Sequence, residues 1–274
     1  MSDAAPLVRI RPPRRWESLD LRALWRFREL LCALAIRDIK LRYRQTALGI
    51  AWVVFQPLLG AGIFAFVFGK VARLDSDGVP YVLFSYAGLL AWNLFSSIVL
   101  KSATSLVGNS ALVSKVFFPR LLLPFSAAIS SLLDFAIGLA AGFALMLAQG
   151  HALAPSPLIL FALVLILLIA LGFGLACAAL AVAYRDVNHL LPVALQLLLY
   201  ASPVGYALSA VPAQWRGFFL LNPLAPIIDS FRSALLGRAL DPRSLIIATA
   251  AAALIFLAGV LVFRHRERQF ADVI

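Results

Sequence analysis

Histidine, cysteine and charge are all scarce in this sequence. Of 274 residues, 3 are His, 2 are Cys and 14% are Asp, Glu, Lys or Arg, whereas 62% are hydrophobic. Soluble domains carry about a quarter charged residues, so this much apolar surface needs lipid as its solvent. His151, His189 and His265 fall in three different loops or tails, which leaves no metal-ligating set. Paired carboxylates are missing from the apolar segments, where Asp134 stands alone, which counts against hydrolytic acid/base chemistry. A phosphate-cradling loop is also absent. Gly69-Lys70 has Phe64 where the first Gly should be and Val71 in place of Ser or Thr, so the chain does not bind ATP in that way. Met1 to Trp16 holds Arg and Pro but no apolar core, unlike a cleavable signal peptide. Cys32 precedes the first apolar run and Cys177 lies inside the fourth, too far apart on this layout for a disulfide.

What the sequence has instead is long apolar runs. Six segments reach the length of about twenty residues that crosses a hydrocarbon core: Ile50 to Val71, Tyr81 to Leu100, Leu121 to Leu147, Pro157 to Ala183, Leu190 to Leu208 and Ser244 to Phe263. They are apolar on every face and about twice the length of a barrel strand, so they are expected to be helices. The expected fold is an all-α polytopic membrane protein with six transmembrane helices. With both termini on the cytoplasmic side, eighteen of the 24 Lys and Arg lie on that side, as the positive-inside rule requires. The net charge of +11 is therefore expected to meet anionic lipid, and no nucleic acid.

The chain divides into a Pro- and Arg-containing arm over residues 1–20, an amphipathic segment over 21–45, the six-span domain over 46–264 and a cytoplasmic tail over 265–274. In the second of these, Arg22, Arg26, Glu29, Arg37, Lys40 and Arg44 gather on one side, with Leu24, Phe27, Leu30, Leu31, Leu34 and Leu41 opposite. That pattern predicts a helix lying in the membrane plane. Arg28, Asp38 and Arg42 point to its apolar side, where Asp38 and Arg42 could pair at i, i+4. Ser102 to Arg120 reads as a short helix ended before Phe118-Pro119. Ser209 to Arg243 is too apolar for a plain loop and too broken by Pro to span, and reads as a pair of re-entrant or interfacial helices.

Asp134 has two readings: a functional group, or a structural carboxylate bonded to hydroxyls such as Ser130, or protonated, with no Lys or Arg at its depth. The aromatic residues Phe55, Phe64, Phe66, Phe68, Tyr200 and Tyr206 likewise fit either a sugar-stacking path or an interfacial belt. Gly60, Ala61 and Gly62 fit pore lining or close helix packing.

Arg42-Tyr43-Arg44-Gln45-Thr46-Ala47-Leu48-Gly49-Ile50-Ala51-Trp52, continuing to Gln56-Pro57, resembles the start of the ABC-2 type permeases that export bacterial cell-surface polysaccharides. Lys115-Val116-Phe117-Phe118-Pro119-Arg120 with Pro124 is similar to their coupling segment, Tyr184-Arg185-Asp186 to their next cytoplasmic turn, and Ser202-Pro203-Val204 with Asn222-Pro223 to their external region. The likeness runs from about Leu30 to the C-terminus. It implies a homodimer in the bacterial inner membrane bound to two copies of a separate ABC ATPase subunit, which holds the ATP and Mg; this chain would carry no cofactor, no metal and no catalytic residue. Within the family it is most similar to the exporters of O-antigen and teichoic acid, whose polymers are linked to undecaprenyl diphosphate, and O-antigen is the expected cargo.

From that resemblance, and by position, a substrate path is expected along Phe55, Gln56, Gln196, Tyr200, Ser202 and Tyr206 of the first and fifth spans of two copies. Arg42, Arg44 and Lys101 are expected to receive the lipid diphosphate at the inner headgroup boundary. Contact with the ATPase is expected at Arg37, Asp38, Asn109, Lys115, Arg120, Arg185 and Asp186, and an external gate at Trp215, Phe219 and Asn222. An ABC-2 exporter of a small amphiphile or drug is the alternative; a membrane glycosyltransferase or phosphatase, and a structural subunit without transport, are more distant ones.

Overall fold

The computed structural model describes residues 21–44, 49–152, 155–212, 214, 219, 222–267 and 269–270. The arm expected over residues 1–20, Trp215 and the last residues of the expected tail lie outside the described residues. Among those described there are helices and no strands. In chain order they are α1 (Leu21–Arg26), α2 (Arg28–Tyr43), α3 (Ala51–Phe64, continued by a π-helical stretch at Ala65–Val71), α4 (Tyr81–Gly108), α5 (Ser110–Lys115), α6 (Leu122–Ala148), α7 (Leu158–Ala183), α8 (Val187–Tyr200), α9 (Leu224–Leu235) and α10 (Pro242–Glu267). Five are long and apolar enough to cross a membrane: α3 with its continuation, α4, α6, α7 and α10.

α4 is the axis of the bundle. Its side chains are buried along nearly the whole length, with α3, α6, α7, α8 and α9 packed around it. Lipid offers no hydrophobic drive to hold helices together, so close backbone approach must do so. Gly172 of α7 and Gly259 of α10 face each other at such a crossing, where a Cβ on Gly172 would come within 2.6 Å of the Ile255 carbonyl oxygen. A second apolar cluster closes the end of the bundle that carries α2: Leu34, Leu106, Val113, Phe118, Leu121 and Phe263 are buried together there. Arg120 donates to the Glu267 carbonyl and lies 5.9 Å from the Phe270 ring centroid, tying the start of α6 to the end of α10.

Two expectations need correction. The segment Leu190 to Leu208 is helical only to Tyr200, and the fourteen residues of α8 cover about 21 Å at 1.5 Å each, short of a hydrocarbon core of about 30 Å. The reason is Pro203, which follows the end of the helix: a residue before proline avoids helical angles, and Ser202 occupies that position. The amphipathic segment breaks at Phe27, and its longer part, α2, does not rest on lipid alone. It packs along the first half of α6, with Leu34 and Ala35 buried and Asp38 accepting from Ser126. Of the pair of helices expected over Ser209 to Arg243, the described residues include one of more than a turn, α9, whose side chains are buried almost throughout, and residues 213, 215–218 and 220–221 lie outside the described residues.

The turn after α8 shows what replaces the missing helical turns. Non-helical backbone at membrane depth persists only where its polar groups are covered, and here side chains supply the donors. Tyr206 Oη donates to the Tyr200 carbonyl at 3.0 Å, Asn222 Nδ2 to Ala201 at 3.1 Å, Arg232 Nη2 to Pro203 at 2.6 Å and Val204 at 2.9 Å, and Tyr81 Oη to Gly205 at 2.7 Å. Arg232 is fully buried in α9, with its guanidinium carbon 3.7 Å from the Phe84 ring centroid. Gly88 makes room for it: a Cβ there would meet Arg232 Nη2 at 2.7 Å as well as the Val204 carbonyl.

Candidate functional site

Three helices contribute polar side chains at intervals of one turn, which places each set on a single face. On α4 these are Asn93, Ser97, Lys101 and Ser105, with Asn109 just beyond; on α6, Ser126, Ser130 and Asp134; on α2, Asp38 and Arg42. The faces converge on a groove. Its first part, of about 560 Å³, is lined by Asp38, Arg42, Lys101, Ser105, Asn109, Ser126 and Ser130, and a second part of about 320 Å³ by Gln56, Asn93, Ser97, Ser131 and Asp134, with Arg42 and Lys101 shared between the two.

At the junction one carboxylate holds two cations. Arg42 Nη1 is 2.5 Å and Lys101 Nζ 3.4 Å from Asp134 Oδ2, while the Tyr43 hydroxyl donates to Oδ1. Lys101 also donates to Ser130 Oγ at 3.3 Å and Ser131 Oγ at 3.1 Å. Burial, and then its bond to the carboxylate, push the Tyr43 hydroxyl up to about 12, so it stays protonated and donating at neutral pH. The side chain of Asp134 is 13% exposed, against 43% for Arg42 and 29% for Lys101. The carboxylate is therefore the inner member of the cluster, and the cations keep open faces toward the groove.

This geometry corrects the sequence reading of Asp134, to which no cation was assigned. It also replaces the expected Asp38–Arg42 pair: Asp38 takes Arg37 instead, at 2.8 Å, and Arg42 turns to Asp134. The Asp134 carboxylate is the less exposed of the two, at 13% against 29% for Asp38, and a more buried charge gains more from a counter-ion, which accounts for the exchange. Of the three residues expected to receive a diphosphate, Arg42 and Lys101 meet in the groove; Arg44 is exposed after the end of α2 and is not part of the lining.

The residues expected along a substrate path do not enclose one within a single chain. Phe55 and Gln56 on α3, and Gln196 and Tyr200 on α8, are exposed on the outer surface of the bundle. Ser202 is buried in the turn, where it accepts from Asn222, and Tyr206 packs edge-on against Phe68 and Phe219. Two of the three expected gate residues, Phe219 and Asn222, thus meet at that turn. At the opposite end of the bundle, Lys115, Arg185 and Asp186 are exposed and Asn109 is half-buried at the start of α5. Sequence reasoning missed the part played by Tyr43, Asn93, Ser97 and Arg232; the four-residue spacing from Asn93 to Ser105 was the available signal for two of them.

A family model described as "ABC-2 type transporter" matches residues 29–236, three-quarters of the chain. This chain belongs to the ABC-2 type transporter family. Its relatives in that family include an O-antigen export system permease protein of Myxococcus xanthus, 33% identical over 93% of this chain and 98% of that one. An O-antigen export system permease protein of Klebsiella pneumoniae is 26% identical over 90% and 95% of the two chains, and a polysialic acid transport protein of Escherichia coli is 25% identical over 74% and 80%. Membership of this permease family, with several apolar helices, makes the chain a multi-pass protein of the bacterial inner membrane and a transport subunit rather than an ATPase.

Proposed function

We propose that this chain is the permease subunit of an ABC exporter that moves O-antigen, linked to undecaprenyl diphosphate, out of the cytoplasm. The observation that carries this reading is the 33% identity that runs over nearly the full length of both chains with a relative named for O-antigen export. A separate ABC ATPase supplies the energy, and two copies of the permease enclose the path. In that dimer the outward-facing Phe55, Gln56, Gln196 and Tyr200 of α3 and α8 come to lie between subunits, where ring faces and amides suit a neutral polymer. The α2 end of the bundle, with both termini, lies on the cytoplasmic side, and α8 together with the turn after it completes a sixth crossing. The ATPase docks on that side against α5 and the exposed Arg185-Asp186 turn.

The groove between α2, α4 and α6 fits the headgroup step. A diphosphate cannot enter hydrocarbon unaided, and Arg42 and Lys101 offer two cations at the edge of the bundle. Deleting the gene tests the transport reading: surface O-antigen disappears and the lipid-linked polymer accumulates inside. Undiminished surface polymer refutes it. Complementation with Arg42→Gln or Lys101→Gln, at normal protein level, should restore export only in part, and full restoration by both would remove the groove from the pathway.

A further inference from the structure

We infer that the second part of the groove is a sugar subsite, in which Asn93 and Gln56 hydrogen-bond the first sugar attached to the lipid diphosphate. The inference rests on the headgroup reading of the groove and adds two binding residues beyond the cations. Asn93 stands halfway along α4 and is half-buried, at a depth where a polar side chain without a partner is costly. Neither its amide nor that of Gln56 on α3, which lines the same space, has a hydrogen bond among the described residues. The neighbouring hydroxyls are already engaged. Ser97 and Ser131 share a bond at 3.1 Å, Ser131 donates to the Ala127 carbonyl at 2.9 Å, and Ser96 donates to the Asn93 carbonyl within its own helix. Two amides, each with two N–H donors and an acceptor oxygen, are what remains for a ligand.

The charges sort along the groove. Arg42, Lys101 and Asp134 are the ionisable residues that line this part among those described, and beyond them Asn93 and Gln56 stand beside Pro57, Leu90 and Phe135. Lys101 and Asn93 are eight residues apart on one helix, about 12 Å along its axis. A ligand that meets both is therefore an anion with a neutral polar extension. An isoprenoid chain would leave both amides unpaired, and a further phosphate would find no cation at Asn93. A sugar ring offers hydroxyl edges to the amides and C–H faces to the apolar walls, the mixed lining usual in small-molecule sites. The space of about 320 Å³ is at the lower end of the range for such sites, about 300–1,000 Å³, which suits the first ring and is too small for a length of polymer. Gln56 adjoins Phe55 on the exposed side of α3, so a ring held here is already at the edge of the path proposed between subunits.

The test uses the permease purified with its ATPase subunit in nanodiscs and probes of equal charge and tail: the farnesyl diphosphate esters of glucose, galactose and N-acetylglucosamine, and farnesyl methyl diphosphate, which has no ring. At least one sugar probe should bind wild type about tenfold more tightly than the methyl probe, as two added hydrogen bonds allow. Asn93→Leu and Gln56→Leu should each take about threefold or more from that advantage and leave the methyl probe unchanged. Gln56 is exposed, so its variant serves even where Asn93→Leu fails to assemble. An advantage that survives in both variants overturns the inference, as does a wild-type complex that binds the methyl probe as tightly as every sugar probe. Equal weakening of all four probes by Asn93→Leu means that the amide serves helix packing, and overturns it too. UDP-N-acetylglucosamine as competitor separates a lipid-linked sugar from a soluble one: the subsite inferred here yields to it only at large excess, and equal competition overturns the lipid assignment. Arg42→Gln and Lys101→Gln should weaken all four probes; if neither weakens the methyl probe, the headgroup reading itself fails.

Discussion

Replacing Arg232 by methionine removes the side chain that satisfies the backbone after α8, with little change in apolar bulk. Two carbonyls, of Pro203 and Val204, lose their donor in a buried setting, at about 1–3 kcal/mol each. The stacking over Phe84 contributes about 2 kcal/mol more when desolvated. Against this, Arg232 Nε and Nη1 have no hydrogen-bond partner among the described residues, and Nη1 reaches Asp229 only at 3.8 Å. Removing them returns about 1–3 kcal/mol each. The net loss is then about 2 kcal/mol, which corresponds to a fall in melting temperature of roughly 4–8 °C for a chain of this size. Differential scanning fluorimetry of the detergent-solubilised protein reads that shift. Arg232→Lys should fall in between, because an ammonium keeps the charge but not the planar fork that reaches two carbonyls and stacks on a ring. A methionine variant that melts within about 1 °C of wild type, well inside the shift expected here, would refute the reasoning, for the two carbonyls would then have other donors.

The remaining expectations concern separate parts of the bundle. Gly172→Ala should loosen the α7–α10 crossing, since its Cβ would press on the Ile255 backbone; a lower melting temperature than that of Gly62→Ala, whose Cβ meets nothing within 4 Å, checks it. Asp241 accepts from the backbone of Arg243 and Ser244 and from the Ser244 hydroxyl, and these bonds, the hydroxyl first, hold its carboxyl below the usual value. A depressed carboxylate stabilises the fold above its unfolded pKa and loses that contribution as pH falls through the folded one, so Asp241→Asn should flatten the stability profile only below about pH 4. A Gly/Ser linker in place of Ser105 to Lys115 should abolish co-purification of the ATPase, and unchanged assembly and coupled hydrolysis would move the docking site elsewhere.

The apolar runs made four spans legible within one or two residues at most ends, because a helix in lipid must satisfy its own backbone and has no alternative there. α4 continued eight residues beyond its expected end at Leu100, since the polar Lys101 and Ser102 end the apolar run while one bonds α6 hydroxyls and the other is buried. The fifth span was misread for a related reason. Hydropathy cannot see that Ser202-Pro203 breaks the helix when donors to rescue the turn come from Tyr81, Asn222 and Arg232, far away in sequence. The same distance hid the cation cluster. Asp134 was visible as an anomaly, but its partners Arg42 and Tyr43 lie about ninety residues earlier, and only packing of α2 on α6 brings them together. Arg232 looked like one external cation among six, and nothing local marks it as the most deeply buried charge among the described residues.

The burial of α4 along most of its length has a mechanical meaning. Its 28 residues extend about 42 Å, from Phe84 and Gly88 under the Arg232 guanidinium to Ser105 and Gly108 beside α5. A helix enclosed in this way cannot bend or slip at one point without moving its neighbours, so it behaves as a rod. One rod thus reaches from α5, past Lys101 in the groove, to Tyr81 and Gly88 beside the turn after α8. The two ends of the molecule and the groove between them are joined by one element, so a relay between them would need no chain of side chains.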